Sequence, residues 1–145
     1  EVQHIGRALD KNLERRARTE MVRNPRYRWT GELPHQRTRQ ILAQSDVTVI
    51  TSRMEGSSNV LSEALACAVP VIASRIPGLM GTLGTDYPGY FAAGDTAALS
   101  EILLRAEIDR TFYRSLKSIC KSLSHLVAPK REVAAWRQLL QELQS

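Results

Sequence analysis

The sequence predicts an α/β fold, a parallel sheet flanked by helices, with extra helices at its C-terminal end. Three observations carry this expectation. Strand-like runs alternate with helix-like segments through about residue 105, the order that parallel pairing through helical crossovers requires. Residues 47–51, VTVIT, form a β-branched run suited to a central strand. Residues 51–74, TSRMEGSSNVLSEALACAVPVIAS, read as a strand end, a loop with glycine and serines, a short helix and a second buried strand.

Taken in order, Val2–Ile5 is a short strand candidate ending at Gly6. Asp10 suits the cap of a helix running to about Arg23, with Leu13, Ala17 and Met21 forming a narrow apolar stripe. Lys11, Arg15, Arg16, Arg18 and Arg23 crowd the rest of that helix, with Glu14 and Glu20 among them; a solvated face laced with i,i+4 pairs is the simplest reading. Asn24 and Pro25 end it. Residues 27–30 form a second strand, broken by Gly31, and Pro34 fits the first turn of a helix to about Gln44. The strand at 47–51 and a strand at 69–73 bracket the helix that begins near Ser58. Glycines and prolines between 78 and 89 predict a loop-rich stretch with at most a short strand at Tyr90 and Phe91. Gly94, Asp95 and Thr96 open a helix to about Arg105. Residues 107–145 are expected to be a helical extension. Phe112, Leu116, Ile119 and Leu123 on one helix, and Val133, Trp136, Leu140 and Leu143 on the next, have the spacing of core faces.

At 145 residues the chain is about one domain, and its 43% hydrophobic content excludes a disordered chain. No apolar run approaches the roughly 20 residues needed to cross a bilayer. Cys67 and Cys120 lack metal-ligand spacing and read as free buried thiols of a cytoplasmic protein. The net charge of +5 suits an anionic small ligand, an anionic membrane surface touched peripherally, or nucleic acid. A nucleic-acid face on the helix ending at Arg23 is disfavoured because no aromatic residues are interleaved with its basic ones for base stacking. The chain opens at Glu1 almost directly on a strand, which leads us to expect a portion of a longer protein.

The chemistry concentrates at 51–74. Glu55 lies in the loop, and Glu63 lies eight positions later, one turn into the helix. Amides at the helix start, near Ser57, Ser58 and Asn59, lack intrahelical partners, and the helix dipole adds positive potential there. An anion seat between two carboxylates results. A nucleotide-sugar presents the matching groups, a diphosphate with a hydroxyl-bearing ring on each side. In parallel sheets ligands bind beyond the C-terminal strand ends, so Gly6, Trp29, Thr30 and Gly31, which also close a strand, are candidates for the same crevice.

The stretch EGSSNVLSEALACAVPVIAS resembles the Glu-x7-Glu signature of retaining glycosyltransferases with two Rossmann-like domains, the GT-B fold, in glycosyltransferase family 4. Ser52, Glu55, Gly56, Glu63, Ala64, Ala66, Pro70, Val71, Ala73 and Ser74 match that pattern. The frame RWTGELP, helix, LAQSDVTVI matches too, so the likeness covers roughly residues 2–105. It implies that the chain is the C-terminal, donor-binding half, with the N-terminal acceptor domain as its missing partner. By the same likeness Glu55 holds donor-sugar hydroxyls and is the catalytic candidate, as a positioner rather than a nucleophile. Glu63 receives the ribose hydroxyls. Gly56, Ser57, Ser58, Asn59 and Val60 contact sugar or diphosphate through their amides, assisted by Arg53, while Arg75 is a second basic loop residue. Gly6, Trp29, Thr30 and Gly31 lie near the base. The donor is implied to be a UDP-sugar, and no metal or cofactor is implied.

The chain departs from this pattern in three places. Ala68 stands where relatives carry glycine; alanine in left-handed backbone costs about 1 kcal/mol, so a different turn is expected. IPGLMGTLG replaces a loop that often carries a Glu, and the family's basic diphosphate pair would lie upstream of Val2. A narrower likeness, in NPRYRWTGELP and SRIPGLMGTLGTDYPGYFAAGDTAAL, is to selenosugar synthases of selenoneine biosynthesis, which implies transfer to selenophosphate. Two other readings fit the same residues: a non-catalytic nucleotide-sugar-binding α/β module, and half of a GT-B-fold sugar epimerase. Taken alone, the chain is expected to bind UDP weakly and to be inactive in transfer.

Overall fold

A computed structural model describes residues 1–143, and the chain divides into two compact units, Glu1–Ile41 and Leu42–Ser145. In the first unit, β1 (Val2–Ile5) and β2 (Tyr27–Gly31) pair in parallel, Val2 opposite Tyr27, and α1 (Lys11–Arg23) makes the crossover. Asp10 caps α1 as its sequence position suggested, accepting the Asn12 and Leu13 amides at 2.8 Å each. The apolar stripe of α1 is not covered: no residue of the helix is buried, and Leu13 and Met21 are exposed. The expected solvated face is present, with Arg18 and Glu14 paired at 2.8 Å. Pro34 precedes α2 (His35–Ala43).

The second unit runs β3 (Thr48–Ile50), α3 (Asn59–Ala66), β4 (Val71–Ser74), α4 (Pro77–Leu83), β5 (Tyr90–Phe91), α5 (Thr96–Ile108), α6 (Arg110–Leu123), a short 3-10 turn and α7 (Pro129–Glu142). Its three strands form a parallel sheet in the order β3-β4-β5. All of β4 is buried, and Leu61, Leu65, Ile72, Leu79 and Leu116 pack the core around it. The α/β expectation therefore holds, with parallel strands flanked by helices. The strands pair as two sheets, one per unit, where the sequence pointed to one. Alternation in sequence specifies parallel crossovers but not which strands become neighbours. Among the described residues no helix is long and apolar enough to cross a membrane.

Three further expectations are corrected. The loop-rich stretch after β4 contains a helix, α4. Pro77 occupies its first turn and Leu79 and Leu83, four apart, are buried, so tertiary burial overrides two glycines, Gly78 and Gly81, that would each weaken an isolated helix. The turn after α3 is the ordinary left-handed one despite its alanine: Ala68 has φ 53°. The Ala68 amide donates to Leu65 O at 3.0 Å and the Val69 amide to Ala64 O at 2.9 Å, the paired bonds of a Schellman closure. Burial of Val69 beside them helps hold alanine in a conformation that favours glycine. Lastly, Trp136 is not core. It is 58% exposed, and Val133, Leu140 and Leu143 are exposed with it. By contrast α6 does belong to the core, through Phe112, Leu116 and Cys120.

Candidate functional site

The candidate residues fall into two clusters, one in each unit. In the second unit, β3 ends at Ile50 and the chain loops out through Ser52, Arg53, Glu55 and Gly56 before α3 begins. Glu55 is half-buried, and its Oε1 accepts the Ser52 hydroxyl at 2.7 Å. The carbonyl of Ser52 in turn accepts the hydroxyl of Ser74 at 2.5 Å. Ser74 is fully buried at the end of β4. The Glu55 loop is thus tied to the sheet by two successive serine hydrogen bonds, and the other carboxylate oxygen keeps its capacity to accept from a ligand hydroxyl.

The start of α3 has the polarity an anion needs. The Ser58 hydroxyl is buried and is committed to the cap, accepting the Leu61 amide at 3.3 Å. Ser58 therefore shapes the seat, while the first-turn amides of Asn59 and Val60 have no partner within the helix. Ser57, Asn59 and Val60 are exposed, as is Gly56. Glu63 lies on the same helix, half-buried, one turn beyond the cap. Arg53 is exposed. Arg75 turns toward the 85–90 segment, donating to Thr85 O at 3.2 Å with its guanidinium 5.8 Å from the Tyr90 ring. Burial pushes the Tyr90 hydroxyl up to about 12, against the opposing pull of Arg75.

In the first unit Gly6, Trp29, Thr30 and Gly31 come together at the strand ends. The Trp29 indole donates to Gly6 O at 2.9 Å, and the Gly6 amide donates to Gly31 O at 2.8 Å. Both glycines have positive φ, 141° and 70°, which fits them to the close turns that end β1 and β2. The Arg18 guanidinium lies 5.6 Å from the Trp29 ring centre. The Trp29 N–H is committed to this cluster, which leaves its ring as the surface available for contact.

Sequence reading missed the parts played by Ser52 and Ser74. Both match the motif, but nothing in a linear sequence links position 52 to position 74. It also missed Gly78, whose Cα approaches the Glu55 peptide; a glycine after proline looked like a turn signal rather than a packing contact.

A model of the family described as "Glycosyl transferases group 1" matches residues 2–108. The N-acetyl-alpha-D-glucosaminyl L-malate synthase of Bacillus anthracis is 31% identical over 78 residues, a match spanning 53% of this chain and 20% of that protein. Among solved structures, a sucrose-phosphate synthase from Thermosynechococcus elongatus superposes with TM-score 0.76 at 25% identity, over 97% of this chain and 38% of the other. Alr3699/HepE of Anabaena, solved in complex with UDP, superposes with TM-score 0.79 at 20% identity, over 98% of this chain and 40% of the other, and so shares the fold. The chain therefore spans well under half the length of these relatives.

Proposed function

This chain belongs to the group 1 glycosyl transferases, and on that premise we propose that it is the donor-binding part of a retaining glycosyltransferase that uses a UDP-sugar. The observation that carries the reading is the arrangement around α3: a serine-anchored Glu55 before the helix, open first-turn amides, and Glu63 one turn on. The diphosphate sits at the amides of 56–60, Glu55 positions the donor sugar through a hydroxyl, and Glu63 takes the ribose. As the glycosidic bond breaks, negative charge grows on the leaving diphosphate. Fixed amides and the helix dipole lower the energy of that charge without reorganising. Arg53 assists at phosphate. The acceptor and the second wall of the cleft belong to the other domain of the GT-B architecture.

The narrower likeness makes selenophosphate the acceptor and UDP-N-acetylglucosamine a candidate donor. N-acetylglucosaminyl transfer in the name of the Bacillus anthracis relative supports the sugar. A cytoplasmic setting goes with this reading, Cys67 and Cys120 being free thiols. Calorimetric titration with UDP tests the donor site. A folded sample should bind, and Glu63→Ala should weaken binding about tenfold, as loss of hydrogen bonds to a charged group does. Absence of heat at millimolar UDP, or unchanged affinity in Glu63→Ala, overturns the assignment.

A further inference from the structure

We propose that Gly78 is a positioning residue for Glu55, setting where its loop lies relative to the start of α3. Gly78 is the second residue of α4, and a Cβ built on it would fall 1.9 Å from Glu55 O, 2.7 Å from Glu55 C and 3.2 Å from Gly56 O. These are backbone atoms, which cannot swing aside as the end of a side chain can. Glycine is not needed there for its conformation, since its φ lies outside the left-handed region. Nor does it suit a helix, where alanine is the better former. Space is the remaining reason.

Neither partner can retreat easily. On one side α4 is anchored by Leu79 and Leu83, both buried in the core. On the other side the loop is held by the Ser74 to Ser52 to Glu55 hydrogen bonds. A methyl group at 78 therefore displaces the Glu55 peptide, and with it the carboxylate, from its present position before α3. Gly81, on the same helix, meets nothing within 4 Å and supplies the control.

The functional consequence rests on the donor-site reading above: Glu55 serves the sugar and Glu63 the ribose, so displacement of Glu55 should cost sugar recognition and spare nucleotide recognition. UDP and UDP-N-acetylglucosamine are titrated against the wild-type chain, Gly78→Ala and Gly81→Ala. The wild type and Gly81→Ala should prefer the sugar nucleotide. Gly78→Ala should lose about tenfold of affinity for it, the effect of one hydrogen bond to a charged group, and retain its affinity for UDP. Equal losses for both ligands, or the same loss in Gly81→Ala, overturn the proposal. Amide shifts at Glu55 and Gly56 read the packing whether or not nucleotide binds, so failure of the donor site is distinguishable from failure of this inference. They should move in Gly78→Ala and stay in place in Gly81→Ala; the reverse or no movement overturns it. If Gly78→Ala does not fold, a nuclear Overhauser contact in the wild type between Gly78 Hα and the 55–56 backbone decides instead, and its absence overturns the proposal.

Discussion

Helices α6 and α7 carry apolar residues at the same helical spacing and meet different ends. In α6, Phe112, Leu116 and Cys120 are buried against the sheet and α3, with Leu116 and Cys120 fully inaccessible. In α7, Val133, Trp136 and Leu140 are 48%, 58% and 53% exposed. The ends differ as well. Asp109 caps α6 by accepting the Thr111 and Phe112 amides at 3.0 and 2.9 Å, whereas Ala128 precedes α7 and offers no side-chain cap. Helical spacing thus orients an apolar face but does not supply the surface that covers it. The cover on α6 includes Tyr87, whose hydroxyl reaches both Val71 O and Cys120 Sγ. Burial pushes the Tyr87 hydroxyl well above its ordinary value and the Cys120 thiol upward, so both stay protonated in that contact.

The sharpest way to break the comparison is at its buried member. Leu116→Ala should lower unfolding stability by about 2–5 kcal/mol, since it opens a cavity in a closed core. Chemical denaturation measures this, and a loss below about 1 kcal/mol would mean that α6 is not core. Next comes the α6 cap. The Asp109 carboxyl is held below its ordinary range chiefly by the Phe112 amide, with Arg105 and the Thr111 amide adding to the effect. Because the folded-state value is the lower one, the cap stabilises fully above the unfolded value, and the contribution is lost as pH falls through the folded value. Asp109→Asn keeps a capping oxygen but no longer titrates there. Its melting temperature should therefore fall less than that of the wild type between about pH 5 and about pH 2. Parallel acid curves would show that the cap carries no linkage. The smallest effect belongs to α7. Trp136→Ala should change stability by no more than about 0.5 kcal/mol, as exposed positions do; a loss comparable to that of Leu116→Ala would make the two helices equivalent after all.

Much of the candidate site was legible because its signals are local. Glu55 and Glu63 stand at a fixed spacing, a helix start near Ser58 falls between them, and the β-branched residues at 48–50 specify the strand that presents the loop. Asp10 was readable as a cap, and the second cap as Asp95 or Thr96, of which Asp95 takes the position. What escaped is non-local. Ser74 reaches Ser52 across 22 positions, and Gly78 meets Glu55 through a contact that only folding creates. The helix at 77–83 was hidden because its glycines are strong local punctuation, while the burial of Leu79 and Leu83 that outweighs them is a property of the core.

By itself, then, the sequence determined the α/β class, the alternation of strands and helices apart from α4, the two carboxylates flanking a helix start, and the apolar faces of α1, α6 and α7. These follow from backbone preferences and periodicity within a few turns of chain. Tertiary structure alone decided which strands are neighbours, that α6 is covered and α7 open, that Ala68 is held left-handed, and how tightly the Glu55 loop is clamped between Ser74 and Gly78. Each of those depends on free energy gained by atoms far apart in sequence, through burial and close packing that no local pattern encodes.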